Sequence, residues 1–328
     1  MYREKEFRDK AIKPLFFLIL SLPLFTIIFW PYLWLDPIEK FFLVFKTLSN
    51  YSSGPTYILY FGEFISPENL KWHYPLIWIF VTTPILYIFL FIIGFTLIFL
   101  RLVKRIFRLE ADGIYNDFWR GKNELQDLLF LSTLIIPLFL IIMLNSTLYD
   151  GWRHLYFIYP SFLMISLTGL YYAKILFFKN RERLVFSIVL IFLLPTTFWM
   201  YKNHPYQNVY FNIFAGKNFN EKFEMDYWGV SNSDALKYIA NKNKNKVKVA
   251  AISTTDLLIS KKILAKSIRE KIDIVYDISK ADYIINNFRD WNGIRKPNDF
   301  KIPNSFKVLS EIKVDGISIN TIYKRNED

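Results

Sequence analysis

The sequence predicts a polytopic α-helical membrane domain of about five transmembrane helices over residues 1–200, followed by a small α/β domain over residues 201–328. Three observations predict this class. The chain is 53% hydrophobic yet 21% charged; long apolar runs alternate with short charged connections up to about Tyr201; and beyond that point the apolar runs shorten to strand length. Apolar and charged residues are therefore segregated along the chain, as in a membrane protein that carries a water-soluble domain.

Five stretches are long and apolar enough to span a bilayer, which takes roughly 20 residues. They cover residues 14–35, 74–100, 128–144, 155–173 and 184–200, and each has a proline inside it or near one end: Pro23, Pro84, Pro137, Pro160 and Pro195. Such prolines can kink helices around a cavity, or they can simply be tolerated in a packed bundle, and the sequence leaves both possibilities open. The first stretch follows basic residues, but no small-residue cleavage site follows it, so we expect it to be retained.

Basic residues between the spans predict the orientation. They precede the first span and follow the second and fourth, so they share one face if every stretch crosses: Arg3, Lys5, Arg8, Lys10, Lys13, Arg101, Lys104, Arg105, Arg108, Arg120, Lys122, Lys174, Lys179, Arg181 and Arg183. Aromatic residues such as Trp72 and Trp199 cluster at the opposite ends, as expected at a membrane surface. We therefore expect a bacterial inner or plasma membrane protein with a cytoplasmic N-terminus and a periplasmic or extracellular C-terminal domain.

The polar tail predicts a small α/β unit. The runs "VKVAAIS", "KIDIVYD" and "ADYIINN" are typical of strands, "TTDLLISKKIL" indicates a helix, and Asp315-Gly316 predicts a closing hairpin turn. Ser231 and Asp234 have the spacing of a capping box at the start of a helix that runs to about Asn241.

Composition argues against several classes of function. The net charge is +12, but much of the basic excess flanks the apolar runs and no basic stripe is interleaved with aromatics, so a nucleic acid is not an expected partner. The chain has no cysteine, and its three histidines, His73, His154 and His204, are widely separated. We therefore expect no thiol chemistry, metal site or cofactor.

One ionisable group of residues lies at the predicted outer start of the fourth span. The stretch "YDGWRHLYFIYP" holds Asp150, Arg153 and His154, although charges are costly near hydrocarbon. It can be an interfacial turn in which Asp150 pairs with Arg153, or a binding site in which guanidinium and imidazole hold a phosphate at headgroup depth. The same predicted face carries Glu63 in "YFGE". A lipid phosphate is the ligand that suits this position.

These residues also carry a resemblance to a known family. Together with "YFGE" and "WHYPLIWIFVTTPILYIFLFIIG" before it, and "NHPYQNVYFN" and "DYWGVSNSDALKYI" after it, the stretch resembles the carboxyl-terminal part of bacterial membrane glycosyltransferases of the dolichyl-phosphate-mannose protein mannosyltransferase-like kind (glycosyltransferase family 39-like), which have the GT-C fold. The resemblance covers about residues 31–239 in the same order, and the blocks are specific as a set while each alone is weak.

The resemblance implies an enzyme that moves a sugar from a polyprenyl-phosphate donor to a glycan, lipid or protein acceptor at the outer face. It implies Arg153 and His154 as ligands of the lipid phosphate, and Glu63 and Asp150 as catalytic acidic residues that orient sugar or acceptor hydroxyls. The family's presumed base lies in a first outer loop, whereas "PYLWLDPIEKF" here resembles the region after the family's middle helices. The resemblance therefore leaves three possibilities open: one half of a split enzyme, with a separate amino-terminal half as its partner, a truncated reading frame, or a remnant without activity. Membrane lipid is an expected partner.

Two other functions remain open from the sequence. The chain can be a non-catalytic membrane anchor that presents its α/β domain as an assembly module. It can also be a small transporter, which we rank last because the spans lack charges at mid-depth and show no internal repeat.

Overall fold

The computed structural model describes residues 5–49, 55–107, 119, 121–179 and 181–326. Arg3, Arg108 and Arg120 of the predicted basic face lie outside these ranges. The chain divides into two compact units, Met1–Gly54 and Pro55–Asp328. The boundary predicted near residue 200 falls inside the second unit.

The first unit consists of two helices joined by a short turn. Helix α1 covers Lys5–Phe29 and contains two prolines, and helix α2 covers Pro37–Ser49. In the turn, the indole of Trp34 donates a hydrogen bond to the carbonyl of Ile27 (2.9 Å) and so satisfies one of the last carbonyls of α1.

The second unit begins with a β-hairpin and a short buried helix. Strands β1 (Ile58–Tyr60) and β2 (Glu63–Ile65) pair antiparallel. Helix α3 (Tyr74–Thr82) follows and buries Trp78 among other residues. The sequence predicted one continuous span over 74–100, and this was wrong, because the chain breaks at Thr83-Pro84 before helix α4 (Ile85–Phe107) begins.

The carbonyl groups freed at that break are satisfied from a distant segment. The side-chain amide of buried Asn212 donates to the carbonyls of Phe80 (2.7 Å) and Thr83 (2.8 Å), and its backbone N–H donates to Val81 (2.8 Å). Proline cannot continue the backbone ladder of a helix. Asn212 therefore completes the end of α3 and fixes the segment 203–229 against it.

Four long helices form the body of the second unit: α4, α5 (Gly121–Met143), α6 (Tyr159–Phe177) and α7 (Glu182–Lys202). With α1, the described part of the chain has five helices long and apolar enough to cross a membrane. This confirms the helical membrane architecture by length and composition. Pro160 lies in the first turn of α6, while Pro137 and Pro195 lie inside α5 and α7.

Helices α4 and α6 touch along their backbones at two glycines. A Cβ added to Gly94 would lie 2.0 Å from the carbonyl oxygen of Ile165, and one added to Gly169 would lie 2.0 Å from that of Leu90. Only residues without a side chain permit this approach, which is a common way to join helices in lipid.

The two ends of this helical body differ. At one end, Arg101 of α4 pairs with Asp127 of α5 (2.7 Å), Arg105 pairs with Glu124 (2.9 Å), and Lys174 pairs with Glu182. At the other end, the hairpin, the turn before α6 and the segment after α7 meet: Gly151 bonds to Tyr74, and Tyr60 forms a β-bridge with Phe223.

The α/β part lies after α7. It contains helices α8 (Val230–Lys242), α9 (Leu257–Lys262) and α10 (Lys266–Arg269), and strands β3 (Val247–Ala251), β4 (Ile272–Ile274), β5 (Tyr283–Asn286), β6 (Phe306–Val314) and β7 (Ile317–Arg325). The sheet order is β4-β3-β5-β7-β6, with β3 parallel to β4 and β5 and the remaining pairs antiparallel. Helix α8 packs its buried Leu236 and Ile239 into a core with Val249 and Ile285.

The predicted strands, the helix over 257–262 and the hairpin turn at Asp315-Gly316 are confirmed. The predicted capping box of α8 was wrong. Both oxygens of Asp226 accept the first backbone N–H groups of the helix, from Val230 and Ser231 (each 2.9 Å), while Asp234 accepts from Tyr206 (2.6 Å). The cap lies before the helix because those N–H groups point back toward the preceding turn.

Candidate functional site

The turn before α6 is built onto helix α3. Asp150 and Gly151 both have left-handed backbones (φ 55° and 70°), and a Cβ at Gly151 would lie 3.3 Å from the ring of Trp78. The N–H of Gly151 donates to the hydroxyl of Tyr74 (3.1 Å), and the indole of Trp152 donates to Thr82 (2.9 Å). These contacts hold the backbone of the turn in one conformation.

Asp150 lies in a buried ion cluster. One of its oxygens pairs with the guanidinium of Arg289, and the other lies 3.3 Å from the guanidinium of Arg153. Arg289 also pairs with Glu224 (2.6 Å), and the N–H of Leu59 donates to the same Glu224 oxygen (3.4 Å). The side chains of Asp150, Glu224 and Arg289 are at most 7% exposed. The cluster therefore joins the turn, the hairpin, the segment before α8 and the end of β5.

Burial changes the protonation chemistry of this cluster. Desolvation raises the pKa of Glu224 to about 7, with Arg289 opposing the shift and Asp150 adding to it. Burial alone would lower the pKa of Arg289, but the two carboxylates hold it above its usual value. Burial is the largest cause that raises the pKa of Tyr74, and the nearby carboxylates of Glu224 and Asp150 raise it further. A single buried guanidinium thus serves two carboxylates, and the carboxylate of Glu224 takes up a proton more readily than a solvent-exposed glutamate does.

Arg153 lies at the edge of the buried cluster, where it reaches solvent. Its side chain is 23% exposed. The guanidinium stacks on the rings of Tyr149 (4.6 Å) and Trp228 (5.2 Å), and its Nε lies 3.4 Å from Nε2 of His154. Its Nη2 group has no hydrogen-bond partner among the described residues. The planar cation is held by aromatic faces and keeps a donor for an external anion.

His154 is exposed, and its ring lies edge-to-face with Tyr149 (4.8 Å). The structure thus brings Asp150, Arg153 and His154 together, as the sequence predicted, and Asp150 pairs with Arg153 as in the interfacial-turn interpretation.

Glu63 does not join that group. Its side chain is 68% exposed and lies 3.5 Å from Lys71, on the surface of the hairpin. Its cross-strand neighbour Tyr60 is buried, like the other residues of β1, and the hydroxyl of Tyr60 lies 2.6 Å from Nδ1 of His73. Glu63 remains a predicted hydroxyl-orienting residue, but in this arrangement a surface lysine is its charged partner.

The sequence did not indicate Glu224 or Arg289. Arg289 follows the buried strand β5, and an arginine at the end of a fully buried strand is a signal that could have drawn attention to it. Its pairing with a residue 139 positions away could not be seen in the sequence. Within the described ranges, no group of three or more His, Asp or Glu residues is arranged to hold a metal ion.

The chain matches no protein-family model, no curated protein and no solved structure.

Proposed function

We propose that this protein binds the phosphate of a polyprenyl-phosphate-linked sugar at the outer surface of a bacterial membrane and takes part in transferring that sugar to an acceptor. Arg153 and His154 hold the lipid phosphate in this proposal. The observation that carries it is the partly exposed guanidinium of Arg153, which stacks on two aromatic rings at the start of a candidate membrane helix.

The surroundings of Arg153 support a ligand that lies at headgroup depth. Tyr156, Phe157 and Trp228 expose 53%, 64% and 58% of their surfaces beside it. Large aromatic residues with this exposure are typical of the boundary between hydrocarbon and water. A phosphate that enters from the lipid side would meet a permanently charged donor there, and that donor would stabilise the departing lipid phosphate during sugar transfer.

Asp150 fits this scheme best as a positioning residue. Both of its oxygens lie on guanidinium groups, so the carboxylate fixes the orientation of Arg153. Glu63 is the exposed carboxylate of the pair predicted to orient hydroxyls.

The direct test measures the binding of polyprenyl phosphate to the purified full chain in lipid nanodiscs, together with sugar transfer from a labelled lipid carrier in membranes. We expect Arg153→Ala to weaken lipid-phosphate binding by about tenfold or more, as for loss of a charge-assisted hydrogen bond, and to reduce transfer. Arg183→Ala is the matched control, because Arg183 is an exposed arginine at the other end of the helices. Equal binding by Arg153→Ala, Arg183→Ala and the unaltered chain would remove Arg153 from the site.

A second candidate function is favoured by the buried cluster. Arg289 ties the α/β part to the turn before α6 through Asp150, so the chain also suits a membrane anchor that presents the α/β part rigidly. In that case Arg153→Ala would leave the cellular role intact, whereas loss of the Arg289 contacts would abolish it. Comparing the two variants for complementation of a deletion strain separates the candidates.

A further inference from the structure

A cleft lies beside the buried cluster and is not lined by Arg153 or His154; its space, including the part that is open to solvent, is about 470 Å³. Its walls come from β2, from residues 220–227 and from the loop after β5. Two backbone contacts hold these walls together, because Tyr57 donates to the carbonyl of Trp291 (2.9 Å) and Gly62 donates to that of Lys222 (3.3 Å).

Three buried polar atoms of the residues that line this cleft have no hydrogen-bond partner within the described part of the chain: Oε2 of Glu224, and Nε and Nη1 of Arg289. Nη1 lies 2.6 Å from Oε1 of Glu224 as an ion pair, so Oε2 and Nε are the two atoms left for a ligand, although the two side chains are only 5% and 4% exposed. Burying such groups without a partner carries a desolvation penalty that no hydrogen bond offsets. A native cleft with one orphan acceptor and one orphan donor in its wall is therefore suited to a ligand that supplies both.

The other carboxylates of the cleft are already committed. Asp226 caps helix α8, and Asp290 accepts hydrogen bonds from the backbone and side chain of Arg295 (3.0 and 3.2 Å). Glu224 is thus the carboxylate with an oxygen to spare among the cleft residues that the structure describes.

The charges of the lining select the ligand class. Three carboxylates (Glu224, Asp226 and Asp290) face two guanidiniums (Arg289 and Arg295), which disfavours an anion such as a phosphate. An ammonium group could donate to Glu224 but could not accept from Arg289. A hydroxyl both donates and accepts, and two neighbouring hydroxyls on one ring can satisfy both atoms at once.

Much of the remaining wall is apolar or aromatic, although Asn220, Asn287 and Ser318 also line it. Phe64, Phe223 and Phe288 line the cleft, and Phe288 is held with a left-handed backbone (φ 60°), which is unusual for a bulky residue. A few fixed polar groups on an aromatic surface are the usual features of a small-molecule site.

We propose that this cleft binds a neutral sugar ring, with one hydroxyl donating to Oε2 of Glu224 and a neighbouring hydroxyl accepting from Nε of Arg289. This site is separate from the lipid-phosphate site, because neither Arg153 nor His154 lines it. The two proposals can therefore fail independently.

The experiment titrates the full chain in nanodiscs with glucose, galactose, mannose and their N-acetylamino forms, and follows binding by saturation-transfer NMR and calorimetry. Glucose 6-phosphate serves as the anionic counterpart and an N-acetylated dipeptide as the amide counterpart. We expect at least one neutral sugar to bind, and Glu224→Gln to weaken it about tenfold or more. The control Glu270→Gln makes the same change at an exposed pair with Lys266 and should leave binding unchanged.

Thermal unfolding of each variant shows whether it is folded. If Glu224→Gln does not fold, Phe64→Ala replaces it, since Phe64 is only partly buried and its loss should weaken sugar binding. The proposal is overturned if no neutral sugar binds at millimolar concentration, if glucose 6-phosphate binds more tightly than glucose, or if only the dipeptide binds. Polyprenyl-phosphate binding by the same samples, measured in parallel, reports on the lipid site alone.

Discussion

The two ends of the helical body use the same arginine–carboxylate chemistry at different depths. At the end of the helical body where Arg101 and Arg105 lie, called the loop end here, Arg101 and Asp127 are 25% and 13% exposed. Each of the two arginines has its own carboxylate. At the opposite end, Arg289 is 4% exposed and serves two buried carboxylates from distant segments. Partly exposed pairs contribute little because water competes for both partners, whereas a buried charge depends entirely on its partners. The loop-end pairs therefore support the helices, while the buried cluster joins them to the α/β part.

Removal of Arg289 should produce the largest effect. Arg289→Ala leaves Asp150 and Glu224 buried without their shared cation, which we expect to lower the free energy of unfolding by about 3–5 kcal/mol. The measurement is denaturant unfolding in mixed micelles, with protease sensitivity of the segment before α8 as a second readout.

Arg101→Ala is the control for that comparison. Its partner Asp127 is 13% exposed and keeps a hydrogen bond from Thr168 (3.4 Å), so the loss should be smaller than that of Arg289→Ala, near 1 kcal/mol. Equal losses from the two variants would show that depth does not distinguish the two ends.

The stability of the buried cluster should also depend on pH, without any substitution. The pKa of Glu224 is raised to about 7, above the value of 4.5 expected for the unfolded chain. The contribution of Glu224 to the free energy of unfolding is therefore fully present below about pH 4.5. Between about pH 4.5 and pH 7, Glu224 is ionised in the unfolded chain but still largely protonated in the folded chain. The free energy of unfolding therefore falls by up to about 1.4 kcal/mol per pH unit and then levels off.

The measurement is the free energy of unfolding across that range for the unaltered chain and for Glu224→Gln. The variant has no ionisable group at this position, so its profile should lack the decline. A decline of the same size in both proteins would assign it to other groups.

The smallest effect is expected at the hairpin surface. Glu63 and Lys71 are 68% and 51% exposed and lie 3.5 Å apart, so Lys71→Ala should change the free energy of unfolding by less than about 1 kcal/mol. The same unfolding assay checks this. A loss comparable to that of Arg289→Ala would show that the pair of Glu63 and Lys71 is energetically part of the buried cluster.

The candidate site was only partly predictable. Asp150, Arg153 and His154 are neighbours in the sequence, so their proximity follows from chain connectivity, and a short turn between two apolar runs sets their level at the end of the helices. Glu224 and Arg289 are remote in the sequence, and although Arg289 follows a buried strand, nothing in the local pattern shows that the two residues pair. The break at Pro84 shows the same limit, since a proline was visible there but the capping role of Asn212 was not.

The sequence by itself determined which segments are apolar helices, which are strands, and which ionisable residues follow one another at the start of α6, because hydropathy and turn propensity act over a few residues. Only the tertiary structure decided which charges are buried and which partners they have. That difference arises because the free energy of a charge depends on its depth and on groups that approach it from other segments, and these are set when the hairpin, the turn and the end of β5 pack together.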